Sequence, residues 1–279
     1  MQDSGSSPDA ATTAALEITA VRLARLAGEH ICRDLGTSRT VEFKTPWPGA
    51  GANANPVSDT DLRIEQLIRA QLAGEFPDHA IIGEEYPASD TALPAPYTWV
   101  IDPVDGTTNY VNGLPLFASS VGVLFRGRPV AGAIWCAATH ILRPGVYHAR
   151  HGGTLHFEGR PLERREAGAW RGLASEPGRT PTYGSLWDTR VLGCATVEFA
   201  LVAAGVLRLA YIPRPALWDV AAGLVLLQAA HCHAVRLRAA QADTLLYFSA
   251  TDPPATLACW SEPLLIGDKA ALDLALRAK

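Results

Sequence analysis

The run Trp99-Val100-Ile101-Asp102-Pro103-Val104-Asp105-Gly106-Thr107-Thr108-Asn109 carries two carboxylates, three residues apart, at the exit of an apolar segment. Like charges held that close raise each other's pKa unless a hard cation lies between them. The apolar residues anchor Asp102 on a strand, and Pro103 stiffens the exit so that Asp105 turns toward the same point. Beyond them, the backbone N–H groups of Gly106 and Thr107 are donors of the kind a phosphate takes. A divalent cation beside a phosphate cradle is the equipment of phosphoryl chemistry.

Other acids qualify to join this pair. Glu84 and Glu85 close the apolar segment Ala80-Ile81-Ile82-Gly83, where a polar pair is out of place unless it faces a cavity. Asp219 heads the apolar stretch Val220 to Leu227 and reads either as a ligand or as a helix N-cap. Asp61 reads in the same two ways, the second being the acidic member of a capping box with Ser58. Neither Cys nor His adjoins Asp102 and Asp105, so an all-oxygen donor set favours Mg2+ over Zn2+.

These residues need rigid elements behind them. Leu16 to Leu35 has the period of an amphipathic helix, with Leu16, Leu23, Ala27 and Ile31 on one side and Gly36 as its stop. A Gly/Ala/Asn/Pro-rich loop, Pro46 to Pro56, leads to a second helix opened by Ser58 that turns Leu62, Leu67, Ile68 and Leu72 inward. Two long apolar strands, Phe117 to Phe125 and Pro129 to Cys136, flank an Arg126-Gly127-Arg128 hairpin. Shorter strands are predicted at Val146 to Ala149 and Thr154 to Phe157, with a turn at Glu158-Gly159. Helices are predicted at Thr196 to Leu207 and Trp218 to Ala230, with strands at Leu245 to Phe248 and Leu264 to Ile266 and a last helix capped by Asp268. This order predicts a single domain over 14–279, an α+β half (about 14–160) packed on an α/β half (about 161–279), behind a frayed tail, 1–13.

With 279 residues, 48% hydrophobic and 19% charged, the chain is long enough for a sizeable core. A net charge of −4 gives no electrostatic reason to bind nucleic acid. The local basic run Arg160, Arg164, Arg165 and Arg171 reads as a solvated hairpin edge. Five scattered cysteines without a C-x-x-C pair suggest reduced thiols. With no visible signal segment and no membrane-spanning run, a cytoplasmic protein with no membrane partner is expected. Of His231, Cys232 and His233, only the two histidines share a strand face, a poor basis for a soft-metal site.

The segments Gly83-Glu84-Glu85, Trp99 to Asn109 and Trp218-Asp219-Val220-Ala221-Ala222-Gly223 resemble, in type and order, the motifs of the inositol monophosphatase family. Pro56 to Asp61 and Leu192-Gly193-Cys194-Ala195 match more weakly. The resemblance implies a layered α-β-α-β-α sandwich of the kind shared with fructose-1,6-bisphosphatases, a homodimer, and lithium-sensitive phosphatase activity. It implies Mg2+-dependent hydrolysis of an inositol-1-phosphate-like small phosphorylated metabolite by metal-activated water, with two or three Mg2+ ions. One ion would rest on Glu84, Asp102 and the Val104 carbonyl, a second on Asp102, Asp105 and Asp219, and a looser third near Glu84. Glu84 and Thr107 would hold the attacking water. Asp105, Gly106, Thr107, Gly193, Cys194, Ala195 and Asp219 would surround phosphate and substrate.

Within the same resemblance, histidinol phosphate, a sugar phosphate or adenosine 3′,5′-bisphosphate are alternative substrates, and a binding homologue without turnover is the rival class. Thr107-Thr108-Asn109 favours the inositol-like branch. Ile212 pulls the other way, because it stands where inositol-cleaving relatives carry an acid. Arg214 reads as a loop arginine or as the partner of a second anionic group. Lys44 stands where relatives have a lysine before the mobile loop. Gln228-Ala229-Ala230-His231 replaces an acid followed by Ala-Gly-Gly, and the short stretch Glu166 to Ser185 suggests a trimmed substrate rim.

Overall fold

Apolar side chains repeating on one side of a helical segment must find a sheet to cover. The computed structural model, which describes residues 8–36, 41–43, 56–88, 95–165, 172–177, 186–238 and 241–278, forms α1 (Ala10–Asp34) with Leu16, Leu23, Ala27 and Ile31 buried. This helix begins inside the segment predicted as a tail, because the Asp9 carboxylate accepts the Thr12 N–H at 2.7 Å and closes the first turn. The paired strands β1 (Val41–Phe43) and β2 (Pro56–Ser58) lead into α2 (Asp59–Glu75), capped by Ser58 and Asp61. Ile64, Ile68 and Leu72 are its buried apolar residues, whereas Leu62 and Leu67 are only half-buried. Lys44, the predicted loop from Pro46 up to β2, Arg171 and most of Glu166 to Ser185 lie outside the described residues.

The next elements are β3 (Ala80–Gly83), β4 (Tyr97–Asp105), the short α3 (Thr107–Val111), β5 (Ala118–Phe125), β6 (Arg128–Cys136), β7 (Gly145–Arg150), β8 (His156–Phe157) and β9 (Arg160–Pro161). Their strands form one seven-stranded sheet in chain order, parallel between β3 and β4 and antiparallel beyond. Glu17 of α1 accepts from Arg150 of β7 at 2.6 Å and meets His148 Nδ1 of the same strand at 2.7 Å, tying helix to sheet.

The second half contains β10 (Leu173–Ser175), β11 (Asp188–Arg190), α4 (Ala195–Ala203), β12 (Leu207–Ile212), α5 (Leu217–Ala229), β13 (Cys232–Arg238), β14 (Gln241–Thr244), α6 (Pro254–Leu257), β15 (Leu264–Asp268) and α7 (Lys269–Arg277). The sheet order is β11-β10-β12-β15-β13-β14, parallel at β10–β11 and β10–β12 and antiparallel elsewhere, so this half is mixed rather than purely alternating.

Two predicted elements are corrected. The helix from Thr196 ends at Ala203, since Gly205 at φ 76° turns the chain and Leu207 opens β12. Leu245 to Phe248 forms no strand; the pairing strand lies just before it, and the Phe248 N–H goes instead to Gly127 of the β5–β6 hairpin at 2.8 Å. Arg164 is also not a solvated edge residue, because it pairs with Asp268 at 3.1 Å.

Layering follows from alternation along the strands. Trp99 and Ile101 join α1 and α2 in one core, while Val100 faces a second core built on α4 and α5. Beyond the second sheet, α7 packs Ala271, Leu272 and Ala275 on Leu209 and Leu265. The result is the predicted α-β-α-β-α order. Gly122 and Gly132, partners across β5 and β6, let the α5 backbone lie directly on the sheet. A Cβ at Gly122 would stand 2.8 Å from the Ala222 nitrogen, and one at Gly132 would stand 2.7 Å from the Ala222 oxygen.

Candidate active site

In a regular strand, residues three apart point to opposite faces. Asp102 pairs with Ser120 and Asp105 with Ala118, so β4 spends three steps where β5 spends two. This bulge brings both carboxylates to one side of the sheet. Asp219, the third residue of α5, arrives from the helix layer above. One carboxylate oxygen from each of Asp102, Asp105 and Asp219 lies within 4.8 Å of the others.

Each acid is held differently. Asp105 Oδ2 accepts from the Thr196 N–H at 2.6 Å, the Thr196 hydroxyl at 2.7 Å and the Cys194 thiol at 3.2 Å. Asp219 Oδ2 accepts the Ala216 N–H at 2.7 Å. That is half a capping box, because Ala216 has no side-chain oxygen to return the bond. Asp102 is only 1% exposed, and its Oδ1 has no hydrogen-bond partner among the described residues. Burial, followed by the charges of Glu84, Asp105 and Asp219, holds the Asp102 carboxyl well above the usual range. Burial and then Asp105 do the same to Asp219. Asp105 is raised by burial as well, against the opposing bonds from Thr196 and Cys194. An orphaned buried oxygen in an all-oxygen cluster of mutually repelling acids fits a hard divalent cation.

Glu84 stands outside that 4.8 Å group, although its charge acts on both Asp102 and Asp219. The Val104 carbonyl accepts from the Thr107 hydroxyl at 2.9 Å, leaving one lone pair. Gly106 adopts φ 82° before α3, and its N–H faces the Asp105 carboxylate, so it is not the free donor that the sequence suggested. Gly193 and Cys194 lead into α4, which Ala195 opens, and these three with Asp219, Ile212 and Arg214 line a cavity of about 470 Å3. His231 and His233 are exposed and Cys232 is buried, so these three do not converge.

Two residues have larger parts than the sequence reading gave them. Asp61 is fully buried and is the predicted cap, accepting the Ser58 N–H at 3.1 Å and the Ser58 hydroxyl at Oδ2. Its Oδ1 also lies 3.0 Å from the Thr107 hydroxyl, whose one proton is shared between Asp61 and the Val104 carbonyl. A cap occupies one oxygen, and the second was the unread signal. Glu65, also fully buried, accepts the Glu85 N–H at 2.7 Å and the Tyr86 N–H at 3.2 Å, and pairs with Arg69 at 2.7 Å. It fixes the turn that carries Glu84. An acid on the buried Ile64/Ile68 face of α2 was visible as an anomaly.

A sequence model described as the inositol monophosphatase family matches residues 13–247. The inositol-1-monophosphatase of Rhizobium meliloti is 30% identical over 225 residues, covering 73% of this chain and 79% of its own. A fructose-1,6-bisphosphatase/inositol-1-monophosphatase of Aquifex aeolicus is 31% identical over 191 residues, covering 62% and 69%. By fold, the solved IMPase of Thermotoga maritima aligns at TM-score 0.73 and 23% identity over 95% of this chain and 96% of its own. An IMPase/NADP phosphatase complexed with Mg2+ and phosphate aligns at TM-score 0.74 and 19% identity over 96% and 95%.

Proposed function

We propose that water attacks a small phosphate monoester with help from divalent metal in this chain, which belongs to the inositol monophosphatase family and is a phosphoric monoester hydrolase. The family is metal-dependent, and one relative by fold is complexed with Mg2+ and phosphate. The observation that carries the reading is the convergence of Asp102, Asp105 and Asp219 around an unpartnered Asp102 oxygen. These three would hold Mg2+, with Glu84 and the Val104 carbonyl serving a neighbouring ion. When bound, the metal would polarise the phosphoryl group, neutralise its charge and lower the pKa of a water.

The protein's own groups supply the rest. The Thr107 hydroxyl, held between Asp61 and Val104, orients the water in line with phosphorus, and Glu84 accepts its proton. The first N–H groups of α3 and the segment Gly193 to Ala195 receive the phosphoryl oxygens and the alcohol. The direct test is phosphate release from a small alkyl phosphate with Mg2+ and with a chelator. Release that persists undiminished in chelator would overturn the reading.

Thr107→Ala should lower kcat by about 10²-fold with KM changed no more than about twofold, because an orienting group acts on the reacting water rather than on substrate. Thr107→Ser should recover most of the loss. Steady-state kinetics on the three proteins check this, and parallel losses in kcat and affinity would count against it.

The raised Asp102 and Asp219 carboxyls bear on stability without metal. Their folded pKa values exceed those of the unfolded chain, so the stability they contribute is complete below about pH 4 and is lost as pH rises through the folded values. The melting temperature of metal-free wild type should therefore fall relative to Asp219→Asn, which keeps an acceptor for Ala216, as pH rises from about 4 to 8. Saturating Mg2+ should remove that slope. A flat difference in thermal scans across this range would argue against a charge cluster.

A further inference from the structure

We infer that the alcohol half of the substrate is compact and largely apolar, and that the cavity beside Asp219 selects against polyols. The inference rests on the phosphatase reading above. The cavity, about 470 Å3, lies in the usual range for small-molecule sites and touches the carboxylate cluster through Asp219. Among the described residues, its apolar side-chain walls include Val191, Ile212, Pro213 and Pro177, supplied by the end of β12 and the segments flanking β10 and β11. Ile212 is 6% exposed and so fixed in its wall.

Among the described residues, two of its polar side chains already have one carboxylate oxygen engaged. Glu198 lines the cavity, but its Oε1 accepts the Ser175 hydroxyl at 2.6 Å. Asp219 holds the Ala216 N–H at 2.7 Å and belongs to the cluster. Ser261 and Arg214, both exposed, and the half-buried Tyr211 with its phenol are the other polar side chains of the lining among the described residues. A cyclitol phosphate carries a hydroxyl on every remaining ring carbon, and each hydroxyl that leaves water without a partner weakens binding. Set against the apolar walls of Val191, Ile212, Pro213 and Pro177, several of those hydroxyls go unmet. A single flat or branched apolar group loses nothing there and removes its own surface from water.

Three alkyl phosphates with full-length protein and saturating Mg2+ test this: 2-phenylethyl phosphate, glycerol 2-phosphate and myo-inositol 1-phosphate. All three leave as aliphatic alcohols, so differences in kcat/KM report the cavity rather than an activated leaving group. The expected order places the phenylethyl ester about 10- to 100-fold above the inositol ester, the scale on which apolar pockets discriminate. Ile212→Asp should shift that ratio at least about tenfold toward the inositol ester. Equal or better use of the inositol ester by wild type overturns the inference while leaving the phosphatase reading intact. Absence of metal-dependent hydrolysis for all three overturns both. The wild-type panel decides even where Ile212→Asp fails to fold.

Discussion

Asp102→Asn should lower kcat/KM at saturating Mg2+ by about 10³-fold or more, while the metal-free protein melts no lower than wild type and gains up to about 1 kcal/mol. The two halves have one cause. Asp102 is the most deeply buried acid of the cluster, and its Oδ1 lacks a hydrogen-bond partner among the described residues. Its charge therefore does little for the fold and opposes Glu84, Asp105 and Asp219. Asparagine has the same shape and removes that repulsion, but an amide is a far weaker ligand for a hard cation. Kinetics across a Mg2+ series, paired with thermal scans in chelator, check both halves. Activity within about tenfold of wild type would mean that the cation rests elsewhere. A melting temperature lowered by several degrees would mean that Asp102 is a structural acid.

The sequence was most legible where one local rule decided the outcome. The spacing of Leu16, Leu23, Ala27 and Ile31 gave α1, and Ser58 with Asp61 gave the start of α2, because periodicity and capping depend on a few neighbouring residues. The carboxylates Asp102 and Asp105 were legible for the same reason, since the bulge that unites them is written into Pro103-Val104. The start of β12 was not read, because Val206 and Leu207 suit a helix or a strand and tertiary pairing with β10 and β15 decided between them. Asp219 was half-legible: both of its readings describe something real, the Ala216 bond and the cluster. Glu65 and the second oxygen of Asp61 lay beyond local rules. Their partners, Glu85, Tyr86 and Thr107, are brought to them only by the folding of α2 against β3 and β4.

The position of Asp219 depends on packing as well as on charge, and two glycines separate these effects with opposite signs. Gly132→Ala places a Cβ 2.7 Å from the Ala222 oxygen and 2.8 Å from its Cα. Both are helix backbone atoms and cannot swing aside as a side chain would, so α5 must lift from the sheet or β6 must bend. Overpacking of this kind destabilises by about 1–3 kcal/mol, and the top of that range is expected here because Gly122, the cross-strand partner, is equally tight against Ala222. Asp219 travels with α5, so activity should fall together with melting temperature, and extra Mg2+ should restore part of both. Gly74→Ala, on α2 with nothing within 4 Å of the new Cβ, should instead stabilise by about 0.5–1 kcal/mol and leave kinetics unchanged. Denaturant titrations of the two variants beside Asp102→Asn then sort the residues by physical role. A fall in rate without a fall in stability marks a charge that serves the cation. A fall in both, relieved by Mg2+, marks the packing that carries the charge to its place, and a Gly132→Ala protein as stable as wild type would show that α5 is not held to the sheet through this contact.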